Sequence, residues 1–140
     1  VVEWENNGAA LKNFEGSGLG ASKYFGKETI VWTKLTSYKT GFRIGLASVF
    51  FDDASPALVG CKKSLFYFLA LLNSSVSNAI LSMLSPTLNY QCGEIKKVPV
   101  IYKDEIVDNV CKIAQDCVKM EAEDWDSFET SWDFKRHPLV

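Results

Sequence analysis

Ser64-Leu65-Phe66-Tyr67-Phe68-Leu69-Ala70-Leu71-Leu72-Asn73-Ser74-Ser75-Val76-Ser77-Asn78-Ala79-Ile80-Leu81-Ser82-Met83-Leu84 is the stretch on which the fold turns. From Leu65 to Leu84 it runs twenty residues without a charge, which is long enough to cross a bilayer. Six polar side chains, Asn73, Ser74, Ser75, Ser77, Asn78 and Ser82, interrupt it, and each is costly in hydrocarbon unless paired. The stretch therefore reads as two buried helices broken near Asn73-Ser74-Ser75, and no membrane span is expected. Leu65, Phe68, Leu69 and Leu72 mark the buried face of the first helix, and Val76, Ile80, Leu81 and Leu84 that of the second. Both faces call for a sheet to pack on.

Upstream, the pattern is that of strands. Thr29-Ile30-Val31-Trp32-Thr33 is β-branched and aromatic. Beyond a polar turn at Ser37–Thr40, Phe42, Ile44 and Leu46 alternate with Arg43 and Gly45, the period of a strand with one wet face. Val49 to Phe51 is expected to continue as strand, Asp52 to Pro56 to turn, and Ala57 to Val59 to pair again. Nearer the start, Val1 to Trp4 can form a short strand, Asn6-Asn7-Gly8 breaks it, and a helical turn fits Ala9 to Phe14. The glycines at Gly16, Gly18, Gly20 and Gly26 make 15–27 a loop.

Downstream, Leu84-Ser85-Pro86-Thr87-Leu88-Asn89-Tyr90-Gln91-Cys92-Gly93-Glu94-Ile95-Lys96-Lys97-Val98-Pro99-Val100 reads as a loop pinned by Pro86, a turn at Gly93, and a strand over Val98–Ile101 that Pro99 restricts to an edge or a strand end. Asp104 is placed to cap a helix in which Ile106, Val110, Ile113 and Cys117 recur at spacings of 4, 3 and 4. Val107, Cys111, Ala114 and Val118 stand beside them. This broad apolar stripe is expected to bury against the sheet or against a neighbouring domain. The expectation is an α+β (mixed α/β) fold, with a small mixed or antiparallel sheet packed by two to four helices. Residues 1–140 are read as a single domain: 1–63 sheet and loops, 64–102 helical pair, loop and strand, and 103–140 amphipathic helix and aromatic acidic tail.

Composition is that of an ordinary globular chain, 47% hydrophobic and 23% charged, and argues against disorder. Residue 1 is Val, so a processed start or a piece of something longer is expected, and no basic n-region with an apolar h-region follows it. Cys61, Cys92, Cys111 and Cys117 lack C-x-x-C spacing, and the only histidine is His137, so the cysteines read as reduced thiols in a cytoplasmic protein and no zinc site is expected. Charge is divided along the chain: residues 1–100 carry ten Lys/Arg against seven Asp/Glu, and residues 101–140 carry five against ten. A polyanion would meet the first part, with the tail pointing away.

The motifs exclude more than they establish. Gly16-Ser17-Gly18-Leu19-Gly20 neither follows a strand nor ends in Gly-Lys-Ser/Thr, so it is read as a flexible loop and no cofactor is assigned to it. No two prolines are adjacent, so the Asn/Asp-Pro-Pro-Tyr/Phe signature of amino-methyltransferases is absent. No acid, base and nucleophile are grouped, and no catalytic residue is assigned. Asp52-Asp53 fits a turn cap better than a metal pair, because neighbours on a strand face opposite ways. In the tail, Trp125, Phe128, Trp132 and Phe134 alternate with carboxylates that repel phosphate, unlike the Lys/Arg setting of base-stacking platforms. The tail is expected to dock on protein, aromatic side down.

Chemistry suited to DNA lies elsewhere. Lys34, Ser37, Tyr38, Lys39, Thr40 and Arg43, with Lys62 and Lys63 beyond, offer donors to phosphate and, through Arg, to guanine. Asn89 and Gln91 offer the amide pairing to adenine N6/N7. The alternative is a solvated hairpin face and a structural loop in which Asn89 ties down its own backbone.

The 84–100 stretch, taken with Glu123-Asp124-Trp125-Asp126-Ser127-Phe128-Glu129-Thr130-Ser131-Trp132-Asp133-Phe134, resembles the adenine-specific DNA methyltransferases of BREX phage-defence systems, the PglX family, in the region behind their catalytic domain. Related loops occur in type IIG and type I systems; the Asp124–Phe134 run is the specific part. The resemblance implies a target-recognition-like domain of a cytoplasmic enzyme that transfers a methyl group from S-adenosylmethionine to adenine N6. Its partners would be double-stranded DNA, the parent's catalytic domain and other BREX components. Members of such a family read different sequences, so the residues expected to touch DNA, Lys34, Tyr38, Lys39, Arg43, Asn89 and Gln91, are chosen by their side-chain chemistry and not carried over from the resemblance. The rival reading is a structural or protein-interaction domain of the same parent, working through the 104–119 helix and the aromatic tail.

Overall fold

The computed structural model describes residues 4–19, 22–60, 62–137 and 139, without the side chains of residues 62–64. The strand expected over Val1 to Trp4 lies, Trp4 apart, outside the described parts, as do Gly20, Cys61 and the side chains of Lys62 and Lys63; Trp4 itself is not in a strand. The described residues form a three-stranded antiparallel sheet and five α-helices, an α+β arrangement.

Strands β1 (Thr29–Trp32), β2 (Phe42–Gly45) and β3 (Ala57–Val59) stand in the order β2-β1-β3, with the most apolar strand in the middle. Register pairs Ile30 with Ile44 and Leu58, and Trp32 with Phe42, so these side chains share the inner face. That face meets helix α2 (Lys62–Asn73) through Leu65, Leu69 and Leu72, all nearly fully buried. Each such leucine contributes about 1.5–3 kcal/mol by leaving water.

Two strand expectations fail for a common reason: extended backbone needs a ladder partner. Among the described residues no strand lies opposite the chain beyond Gly45, and Leu46 is exposed rather than inward. Val49–Phe51 is loop, bent so that Phe50 and Phe51 pack on Phe25 at ring separations of 4.9 and 5.2 Å. Trp4 joins this cluster, 4.8 Å from Phe50. Among the described residues before the sheet, α1 (Ala9–Asn13) fills the expected helical turn. The turn before β3 is closed by Asp52, whose Oδ1 accepts the Ser55 N–H at 2.8 Å.

The break after α2 falls where the sequence places it. Ser74 caps α3 (Ser75–Leu84), its hydroxyl accepting the Ser77 N–H at 3.2 Å. The two axes bend by 69°, and no single helix among the described residues is long and apolar enough to cross a membrane. The buried face of α3 differs from the expected one: Ser77 and Leu81 are buried, whereas Val76 is exposed. At so tight a bend the crossing residue must be small, and Ser77 Oγ also donates at 2.5 Å to Leu71 O, a carbonyl in the last turn of α2 that accepts the Ser74 N–H as well. Helix α3 packs chiefly on α2 and on the short α4 (Cys92–Ile95) instead of on the sheet.

The Gly93 turn is itself α4, opened by Gln91 as N-cap, with the Gln91 N–H held by Glu94 Oε2 at 2.8 Å. The expected strand at Val98–Ile101 does not form. Its backbone runs without a ladder and is anchored by buried Val98 and by Tyr67, whose hydroxyl donates to Ile101 O. Helix α5 (Asp104–Trp125) begins one residue earlier than expected, with Lys103 as N-cap and Asp104 in the first turn, where its charge favours the helix N-terminus. It packs on α2 through Val107 and Cys111 against Tyr67, so α2 lies between sheet and α5.

Candidate nucleic-acid interface

The sheet and the 85–90 loop are joined by the main chain. Leu35 and Asn89 form an isolated antiparallel bridge, in which Thr36 N–H donates to Leu88 O at 2.9 Å and Tyr90 N–H to Lys34 O at 2.6 Å. The buried Trp32 indole adds a third tie, donating to Tyr90 O at 2.9 Å. Inside the loop, Ser85 Oγ lies 3.1 Å from Thr87 O and 2.7 Å from Asn89 O. Pro86 fixes the entry, and the loop folds over its own serine.

The bridge leaves an open groove of about 550 Å³ between the β1–β2 connection, α3 and the loop. Tyr38 and Lys39 stand on one wall, and Pro86, Thr87 and Leu88 on another. Helix α3 supplies the floor with Ser75, Asn78 and Ser82, residues not selected from the sequence. Their spacing of 3 and 4 along a largely apolar helix was the available signal. Such a surface carries one cation, an exposed phenol, hydroxyls and an amide, the groups that bond phosphate oxygens and base edges.

The six expected contact residues separate on this geometry. Tyr38 is exposed, as is Lys39, and both line the groove. Lys34 supplies its carbonyl to the bridge, while its ammonium lies 2.6 Å from Asp53 Oδ2 and is neutralised there. Arg43 lies apart on the sheet, pointing away from the core and donating to Thr33 Oγ1 at 2.9 Å. Asn89 is half-buried; its Oδ1 is buried without a partner among the described residues. Gln91 is exposed at the start of α4.

Elsewhere, Gly16 and Gly18 precede a 3₁₀ turn at Ser22–Tyr24 that leads into β1, the reverse of a strand, glycine turn and helix. The tail also departs from expectation. Trp132 is fully exposed, with Trp125 and Phe128 more than half exposed, while the buried residue is Ser131, hydrogen-bonded to Asp126 Oδ1 at 2.6 Å. Among the described residues none covers Trp132.

No profile of a known protein family matches the chain. Over its whole length it is 30% identical, in an alignment of 145 residues, to the adenine-specific methyltransferase BrxX of Escherichia coli O9:H4 (strain HS). It is 28% identical, over 148 residues, to the adenine-specific methyltransferase PglX of Lacticaseibacillus casei (strain Zhang). The chain spans 12% of the length of each. It is therefore related, from end to end, to one segment of the PglX-like adenine-specific methyltransferases of BREX.

Proposed function

We propose that these residues form the DNA sequence-recognition module of an S-adenosylmethionine-dependent adenine-N6 DNA methyltransferase acting in the cytoplasm in phage defence. The observation that carries the reading is the Leu35–Asn89 bridge, which seats the Ser85–Tyr90 loop beside Tyr38 and Lys39 across an open polar groove. Loops fixed to a sheet are suited to reading base edges, while Lys39 and the hydroxyls set register on phosphates. The target adenine would be extruded toward a catalytic pocket elsewhere in the parent enzyme, and methyl transfer would take place there. In this reading the module supplies the address and no step of the chemistry.

The test is made on the full-length enzyme. Lys39→Glu is expected to weaken binding of duplex DNA and to flatten its salt dependence, while S-adenosylmethionine affinity is unchanged. A log-log salt slope changes by about 0.9 per phosphate contact. Unaltered DNA affinity and slope in that variant would reject the groove as the DNA-facing surface.

A further inference from the structure

Helix α5 carries two parallel apolar seams, and α2 covers only one of them. Val107, Cys111 and Ala114 are buried, whereas the seam one residue back, Ile106, Val110, Ile113, Cys117 and Met120, repeats at 4, 3, 4 and 3. That is the spacing at which one helix presents knobs to another. Along it Ile106 is 43% exposed, Ile113 54% and Met120 66%, so only Val110 is substantially covered. Past the helix end Phe128 and Trp132 are exposed as well. A row of exposed apolar side chains along one helix marks an interaction surface.

Charge selects the occupant. Residues 104–134 hold ten Asp/Glu and two Lys, and the flank of the seam carries Glu105 and Asp116, with Asp124 at its end, while Glu123 lies 3.6 Å from the Lys119 ammonium. A second copy docked seam to seam would set these carboxylates against themselves, and DNA would be repelled outright. A helix with an apolar seam and Lys/Arg on its flank meets both demands. The relatives carry most of their length outside the segment matched here.

We propose that the outer seam of α5 docks a basic-flanked amphipathic helix belonging to the remainder of the same methyltransferase polypeptide. The groove and α5 are separate surfaces, so this assignment stands whether or not the groove reads DNA. Docking would hold the module at a fixed orientation relative to the rest of the enzyme.

Cys117 reports directly, since its thiol is exposed on this seam. In the full-length enzyme without DNA, maleimide labelling resolved by peptide is expected to modify Cys117 about tenfold more slowly than in an Ile113→Glu/Met120→Glu variant. Both substituted side chains are exposed within these 140 residues, so this fold survives the change. Carbodiimide coupling should join Asp116 or Glu123 to lysines of the same polypeptide outside residues 1–140. Equal labelling of wild type and variant would overturn the proposal. So would protection that disappears when a dimer is diluted to monomer, or coupling found only to a second copy of α5.

Discussion

Asn73, the last residue of α2, holds Phe42 by both of its backbone groups: Oδ1 accepts the Phe42 N–H at 3.1 Å and Nδ2 donates to Phe42 O at 3.0 Å. Nδ2 also lies 3.1 Å from Leu69 O, so one amide ties the start of β2 to the end of the central helix. Asn73→Ala removes all three bonds and leaves the Phe42 peptide unpaired beside the core. A loss of about 1–3 kcal/mol is expected, read as a lower urea midpoint with unchanged slope. Asn73→Asp keeps an acceptor and loses the donors; it should fall between the two. An alanine variant as stable as wild type would show that water replaces the clamp.

Gly45 ends β2 where the sheet leaves no room. A Cβ built there lies 2.7 Å from Thr29 Oγ1 and 3.0 Å from Val31 Cγ1, with Thr29 directly across the ladder and buried. Gly45→Val should therefore destabilise by about 1–3 kcal/mol despite its better strand propensity. At Gly41 nothing lies within 4 Å of a Cβ, and Gly41→Ala should stay within about 1 kcal/mol of wild type. Equal effects in thermal unfolding would mean that the outer face yields easily.

These two contacts also show how far the residues alone could be read. Thr29–Trp32 announces itself by β-branched and aromatic density, Ala57–Val59 by the Asp52–Pro56 turn before it, and the α2–α3 break by its serines. Val98–Ile101 carried the same local signal but has no neighbour to pair with; the local clue, Glu94 three residues after Gln91, belonged to a helix start instead. On α5 the apolar arc is wide enough for either seam, and the fit against Tyr67 selects the one headed by Val107. The groove was harder still. Tyr38 and Lys39 were identified by side-chain type, but their closeness to the Ser85–Tyr90 loop depends on a bridge between distant segments that no local pattern encodes. For the same reason Lys34 and Lys39 are equivalent by residue type, and only the folded chain separates them by setting Asp53 beside Lys34.

Trp32 links the core to the loop. Its ring is packed among Ile30, Phe42 and their neighbours, and only its N–H reaches Tyr90 O. Trp32→Phe keeps most of the apolar volume and deletes that bond, so about 1 kcal/mol of stability is expected to go. The sharper consequence is local: hydrogen exchange at the Tyr90 and Thr36 amides should accelerate more than exchange within β1. Exchange at Tyr90 as slow as in wild type would mean the Leu35–Asn89 bridge holds the loop without the indole.

Lys34 and Lys39 differ in a way that salt titration can separate. The Lys34 ammonium is 2.6 Å from Asp53 and only partly exposed, whereas Lys39 projects from the groove wall. A lysine already paired with a carboxylate releases little counterion on meeting a phosphate. With the full-length enzyme and duplex DNA, Lys39→Gln should reduce the magnitude of the log-log salt slope by about 0.9, and Lys34→Gln should leave it nearly unchanged. Asp53→Asn frees Lys34 and should steepen the slope by up to about 0.9 if that side chain can reach the backbone. Matching slopes for Lys34→Gln and Lys39→Gln would mean that Asp53 yields to DNA and that both lysines contact phosphate. No change in either would move the DNA off this groove.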